Sequence, residues 1–473
     1  MLEPLQTFRE GKTWDTPPDV WHLSFQDGTL VVRGASASAL PAGFQDDDRI
    51  GAPRGPGWLY QETVLSALSV GQEYEDRARS WENLNALQHL AQRTARPYQR
   101  EAVDAWHAAG RRGAVVLPTG SGKTYVAELA IAEVQRPTLV CAPTLDLVGQ
   151  WHDRLRAAFG ADVGVLGGGH HEVRDLTVST YDSAWRHIGR YGDRFGMLVF
   201  DEVHHLPAPG YRAIAASALA PFRLGLTATW ERDDGEEQNL SEILGPVVFR
   251  RTIPELSGEF LADYETVRLT VHLSPEELDR YTALRQVYLS FVGRNRIPIR
   301  SRNGWQVFLR YAARSREGRA AHKAWMAARR IQHGTEQKLD LLGTLLQEEH
   351  GRRTIIFTHD NATAYRVSRE FLVPCISHQT EVKERRAYLR AFEAGSLPVL
   401  VTSRVLNEGV DLPAAEVAIV LSGTGTVREH VQRLGRILRP GVGKQAVLYE
   451  LVAAGTAEVR TSARRREHDA YQR

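Results

Sequence analysis

The sequence predicts an α/β protein: two parallel-sheet domains in tandem, a small α/β domain in front, and a helical insertion between the two. Three observations carry that prediction. From 93 to about 250, apolar strand-like runs alternate with helix-like runs, the pattern of a parallel sheet covered by helices. The alternation resumes over 336–473. Between them, 251–335 changes to long helical stretches crowded with arginine. A chain of 473 residues also exceeds one ordinary core, which fits several domains.

Composition narrows the class. Charged residues make up 25% and hydrophobic residues 42%, which is ordinary for a globular protein and unlike a disordered one. A net charge of +2 does not announce a polyanionic partner, so local charge has to decide. Cys141 and Cys375 lie far apart in apolar runs. They read as free thiols in a reducing compartment and cannot form a metal cluster. The start lacks a basic segment followed by an apolar one, and no run reaches membrane-spanning length. A cytoplasmic protein with no membrane partner is expected, at the nucleoid in a prokaryote.

Residues 1–92 form the first domain, with thirteen acidic residues against seven basic. Two strand-like runs flank Gln26-Asp27-Gly28, a hairpin signal. Residues 51–57 read as a Gly/Pro loop and 80–92 as a helix. Such an acidic module is a poor general DNA binder and carries no legible chemistry of its own.

The second domain, 93–250, opens on Arg96-Pro97-Tyr98-Gln99. It holds the stretch around which the chain is organised, Leu117-Pro118-Thr119-Gly120-Ser121-Gly122-Lys123-Thr124, between a buried strand and a helix. Small residues there let backbone N–H groups close on phosphate oxygens at a helix N-terminus. Lys123 suits the β- and γ-phosphates of ATP, and the Thr124 hydroxyl suits Mg2+. Further on, Asp201-Glu202-Val203-His204-His205 follows an apolar strand. A carboxylate at a strand end can hold the metal and its neighbour can orient water, so Asp201 and Glu202 take those roles. His204 and His205 are hydrogen-bonding links to the phosphate region or structural residues. Thr227-Ala228-Thr229 ends another strand and alone signals little more than a turn cap.

The insertion, within 251–335, has its own texture. Between Arg285 and His333 lie twelve Arg or Lys and one acid, Glu317. Six aromatics are interleaved: Tyr288, Phe291, Trp305, Phe308, Tyr311 and Trp325. Arg294, Arg296, Arg300 and Arg302 straddle a turn. Phosphates favour such arginines and unstacked bases favour aromatic faces, so nucleic-acid contact is expected here, with Trp305 as a stacking candidate.

In the last domain, 336–473, strands are expected at 354–358, 397–402 and 417–421, with helices at 362–371 and 382–393. A final helix carries Gln432, Arg436 and Arg439 on one face. Two aligned guanidiniums suit a phosphoryl group gaining charge; the same helix could equally be a solvated salt-bridge surface.

Together these segments resemble the superfamily 2 helicases, from Arg96 to about Leu451. The motifs occur in order: Arg96 to Gln99, the loop with Lys123, Ala142-Pro143-Thr144, Asp201 to His204, Thr227 to Thr229, Asn407 to Asp411, and Gln432 to Arg439. Within that superfamily the chain is similar to the XPB branch. The phrase Asp201 to Pro207, the basic insertion and Arg232-Asp233-Asp234 carry that likeness. The third replaces the family's Arg-Glu-Asp with a shorter middle carboxylate. The resemblance implies two tandem RecA-like motor domains sharing one ATP, a thumb-like insertion, and a damage-recognition domain at 1–92. It implies adenine recognition by Gln99 beside Arg96, arginine fingers at Arg436 and Arg439, and γ-phosphate sensing by Gln432. Gly409 and Asp411 would join ATP state to DNA grip. The implied activity is a 3′-to-5′ DNA helicase acting in repair on single-stranded or forked DNA, with a nuclease partner.

Overall fold

The computed structural model describes residues 20–84, 87–90, 93–230, 235, 240–301, 303–403, 415–422 and 445–466. Three sheets organise them. The N-terminal sheet has five strands, beginning with the expected hairpin, Trp21–Gln26 against Thr29–Arg33. Asp27 at φ 48° and Gly28 at φ 83° make its turn, which matches the twist of a two-residue hairpin. The segment read as a Gly/Pro loop is instead a strand, Ala52–Pro56, between Thr29–Arg33 and Gln45–Asp47. Both prolines take register positions in its ladders, Pro53 opposite Asp46 and Pro56 opposite Thr29, while Ala52, Arg54 and Gly55 keep their amides.

The helix expected at 80–92 is absent among its described residues. That stretch is a strap whose backbone bonds to the first large lobe. The Leu84 amide donates to Gln135 O at 2.9 Å and the Leu90 amide to Ala158 O at 2.7 Å. The helical pattern there recorded side chains that bury against a neighbour, with tertiary bonds replacing i→i−4 ones.

The first lobe is an eight-stranded sheet. Its order is Val247–Arg250, Arg112–Val116, Phe222–Thr227, Met197–Asp201, Thr138–Ala142, Leu176–Thr180, Val163–Gly167 and His170–His171. All pair in parallel except the last, which closes a hairpin. The central strands are buried on both faces, as a helix-covered parallel sheet requires.

The second lobe has six parallel strands in the order Asp263–Val271, Gln445–Ala453, Val417–Val420, Thr354–Phe357, Val399–Thr402 and Cys375–Ile376. Its first strand precedes the insertion in the chain, within the stretch read from the sequence as a linker. The insertion is three helices, Pro275–Arg294, Gly304–Arg314 and Arg316–His333. Among the described residues no helix is long and apolar enough to cross a membrane.

Candidate active site

Parallel pairing brings the candidate residues to one end of the first sheet. Val116 pairs with Thr227, and Leu226 with Asp201, so one strand separates the phosphate loop from Asp201. Neighbouring strands lie about 4.8 Å apart, which puts the two strand ends roughly 10 Å from each other. Ligands in this architecture bind at these carboxyl ends.

The loop is braced from within. Gly120 and Gly122 both sit at φ 85°, where a side chain is strained. A Cβ at Gly122 would also meet Gln99 Nε2 at 2.5 Å. Ser121 Oγ donates to Pro118 O at 2.7 Å and Tyr98 OH to Ser121 O at 2.6 Å. Lys123 folds back, its ammonium donating to Leu117 O at 3.2 Å and Pro118 O at 3.4 Å. Those carbonyls hold the cation where an anion belongs. Thr124 follows at the second position of the helix Lys123–Val134.

Gln99 is buried and both ends of its amide are engaged. Nε2 donates to Ser121 O at 2.9 Å, and Oε1 accepts from the Arg96 amide at 3.0 Å. Contact with a base therefore requires it to exchange a partner. The Arg96 guanidinium donates to Tyr98 OH and to Phe260 O, each at 3.1 Å.

Asp201 is buried, and the Trp151 indole donates to its Oδ2 at 2.8 Å. The Glu202 amide donates to Oδ1 at 3.1 Å. Burial first, and the Glu202 carboxylate beside it second, push the Asp201 carboxyl up to about 6, against the pull of Trp151 and Lys123. Glu202 holds φ 49°, a left-handed conformation that is uncommon for a non-glycine residue and clusters at functional sites. His204 Nδ1 lies 3.4 Å from Glu202 Oε2 and 3.2 Å from Thr227 Oγ1. It thus ties the acidic pair to the Thr227-Ala228-Thr229 turn, where Thr227 Oγ1 donates to Thr229 O at 2.8 Å. Of its two sequence readings, the hydrogen-bonding link is the one observed. Among the described residues no group of three or more His, Cys, Asp and Glu could hold a metal by itself.

Two hydroxyl oxygens at this end are buried without a hydrogen-bond partner, Thr119 Oγ1 and Thr229 Oγ1, and Glu202 Oε2 is buried with only the His204 ring at 3.4 Å. Buried polar atoms in this condition are rare and costly unless something else satisfies them. Hydroxyls, a carboxylate and a helix N-terminus form a donor set that fits a magnesium-bound triphosphate and its water.

Several sequence candidates fall elsewhere. Arg232, Asp233, Asp234, Arg302, Gly409, Asp411, Gln432, Arg436 and Arg439 lie outside the described residues. In the insertion, Arg294, Arg296 and Arg300 are exposed, and among the described residues none has an acidic partner. The aromatics divide differently from the expectation of base stacking. Tyr288, Phe291 and Phe308 are the insertion's own core, with Trp305 half-buried 5.0 Å from Phe308 and 4.3 Å from Trp325. Their spacing recorded a helix-packing face.

Two contacts had no sequence signal, because they join distant parts of the chain. One is the Trp151–Asp201 bond. The other crosses the lobes: Arg385 Nη1 donates to Asp146 Oδ2 at 2.8 Å, with side chains only 13% and 25% exposed.

Comparison with known proteins agrees with these three parts. Residues 23–78 match the profile of the Xeroderma pigmentosum group B helicase damage recognition domain. Residues 92–232 match the type III restriction enzyme res subunit, and 337–441 the helicase conserved C-terminal domain. The chain is 42% identical over 372 residues to the DNA 3′-5′ translocase XPB2 of Sulfurisphaera tokodaii, covering 79% of this chain and 84% of that protein. It is 32% identical to a putative DNA 3′-5′ helicase Rad25 of Halobacterium salinarum, covering 91% and 68%. With the DNA 3′-5′ helicase XPB of Mycobacterium tuberculosis it shares 30% identity over 80% of this chain and 64% of that protein. The crystal structure of the Pyrococcus furiosus Hef helicase domain shares the fold, with a TM-score of 0.50 at 18% identity, covering 78% of this chain and 97% of that one.

Proposed function

The chain belongs to the XPB family of superfamily 2 DNA helicases and translocases, and from that premise we propose how its residues drive an ATP-dependent 3′-to-5′ motor acting on DNA in repair. The observation that carries the reading is the meeting of Lys123, Asp201 and Glu202 at one sheet end, beside the buried, unpartnered hydroxyls of Thr119 and Thr229.

Lys123 exchanges Leu117 O and Pro118 O for the β- and γ-phosphates. Backbone N–H groups of Thr119, Gly120, Ser121 and Gly122 cradle the phosphate oxygens. Thr124 and Asp201 would hold Mg2+, which would supply positive charge to offset that gathering on the transferring phosphoryl group. Glu202 orients the attacking water, steadied by His204. Arg96 and Gln99 meet the adenine. From the second lobe, Gln432, Arg436 and Arg439 approach the γ-phosphate, while Gly409 and Asp411 pass nucleotide state to the DNA grip. Arg294, Arg296, Arg300 and Arg302 hold phosphates of the DNA, and Arg232, Asp233 and Asp234 act at the strand junction. A nuclease partner would cut what the motor opens.

A second reading is translocation along duplex DNA without net unwinding. The shorter carboxylate at Asp233 favours it, as does the likeness to the Sulfurisphaera relative, a translocase. ATP turnover measured on single-stranded, forked, bubble and duplex DNA, with RNA as control, tests the motor. Turnover indifferent to every DNA would overturn it. Strand-displacement beside triplex-displacement assays separates the two readings.

A further inference from the structure

We infer that Trp151 is a positioning residue for Asp201, and that its helix, Leu145–Phe159, carries the approach of the second lobe to that carboxylate. The inference deepens the nucleotide-site reading above and rests on it.

Four observations support it. Asp201 accepts one bond on each oxygen, from the Trp151 indole at 2.8 Å and the Glu202 amide at 3.1 Å. The amide belongs to the next residue and holds Oδ1 only. The carboxylate plane is therefore set by the indole, which comes from another element. Trp151 is 2% exposed and sits in the lobe's main core with Val148, Leu155, Ala158 and Phe159 of its own helix, so the donor cannot swing aside. Groups that hold a metal-binding carboxylate in one orientation are worth as much to the site as a ligand.

The helix is stiff at both ends. Thr144 caps its start, accepting from the Leu147 amide at 3.3 Å, and Gly160 at φ 62° closes its end. In its first turn, Asp146 accepts from Arg385 at 2.8 Å. Arg385 stands on Val382–Glu393 of the second lobe, and its Nη2 also donates to Thr380 O at 3.3 Å. Asp146 and Trp151 are about 7.5 Å apart along the axis, little more than one turn. A pull on Asp146 thus moves the indole as one body with it. The second lobe touches the carboxylate without contributing an atom to it.

The test titrates Mg2+ into the full chain holding a fluorescent ATP analogue and forked DNA, and reads the midpoint for tight nucleotide binding. Trp151→Phe keeps the ring and removes the donor. It should raise the midpoint about tenfold or more and leave metal-free binding of the analogue unchanged. Asp146→Asn and Arg385→Gln should each raise it by roughly threefold. In the Trp151→Phe background they should add nothing. These two lie near the surface, so they test the relay even if the core variant melts early. A wild-type midpoint in Trp151→Phe overturns the positioning role. An additive effect of Arg385→Gln overturns the relay. If the wild-type chain itself shows no Mg2+-dependent nucleotide binding, the site reading fails, a result that neither variant can mimic.

Discussion

The two lobes share an architecture and differ in what stands at the carboxyl ends of their strands. In the first, the strands lead into Thr119, Asp201 and Thr229, with Glu202 beside Asp201, and the Thr119 and Thr229 hydroxyls are buried without a partner. In the second, the described strand ends carry hydroxyls whose bonds are already made. Thr358 Oγ1 donates to Asp360 O at 3.1 Å and Thr402 Oγ1 to Ile376 O at 3.0 Å, while Ser422 Oγ accepts from the His359 amide at 2.9 Å. Among the described residues, one sheet end keeps buried hydroxyls unpaired and the other has its strand-end hydroxyls bonded to backbone. The difference teaches that the fold supplies a place for chemistry, and a handful of terminal residues decides whether that place is used.

That contrast can be broken experimentally. Lys123→Ala should lower ATP turnover by about a thousandfold or more, since phosphoryl transfer depends on charge placement. DNA affinity should persist, as a gel-shift titration would show; full turnover would place the chemistry elsewhere. Glu202→Gln should slow turnover about a hundredfold, within the usual range for a positioned base, while an ATP-binding titration stays close to wild type. Joint removal of Arg294, Arg296 and Arg300 should weaken DNA binding and flatten its salt dependence by roughly one counterion per arginine. Binding measured over a salt series checks this, with ATP turnover off DNA unchanged.

Two smaller effects sharpen it. Thr402→Val in the second lobe should destabilise the protein by about 1 kcal/mol in a urea melt, leaving KM for ATP alone. In the first lobe, Asp201 is held above its unfolded value of 3.8, at about 6. A raised carboxyl favours the folded state only when protonated, so at pH 7 the buried charge is a cost. Without nucleotide or metal, Asp201→Asn should therefore raise the melting temperature at pH 7 by a few degrees, a gain on the order of 2 kcal/mol. The gain should shrink as pH falls through 6 and vanish below 4, as melts across that range would show.

How much of this was legible beforehand follows from how far each signal reaches along the chain. The phosphate loop and the Asp201-Glu202 pair are local: small residues for backbone approach, carboxylates after an apolar strand. The parallel sheets followed from alternation, and the hairpin from Asp27-Gly28. The errors came where one pattern has two causes. The described residues of the strap take tertiary backbone bonds, to Gln135 and Ala158, which no local spacing announces. In the insertion, Tyr288, Phe291 and Phe308 serve helix packing, while Tyr311 stays exposed and Trp305 half-buried, so one spacing serves two ends. Asp263–Val271 sits far in sequence from its partner Gln445–Ala453, so its place in the second sheet could not be read. Trp151 and Arg385 escaped for the same reason.

The N-terminal hairpin turn also has a mechanical consequence. A Cβ on Gly28 would come within 2.8 Å of Ser217, and one on Gly57 within 2.4 Å of the Ser217 carbonyl, while the strap behind them is stitched to the first lobe. The acidic module is thus cargo bolted to one half of the engine. Among the described residues, any force on that module is therefore passed to this half through backbone contacts, with no hinge of side chains between them.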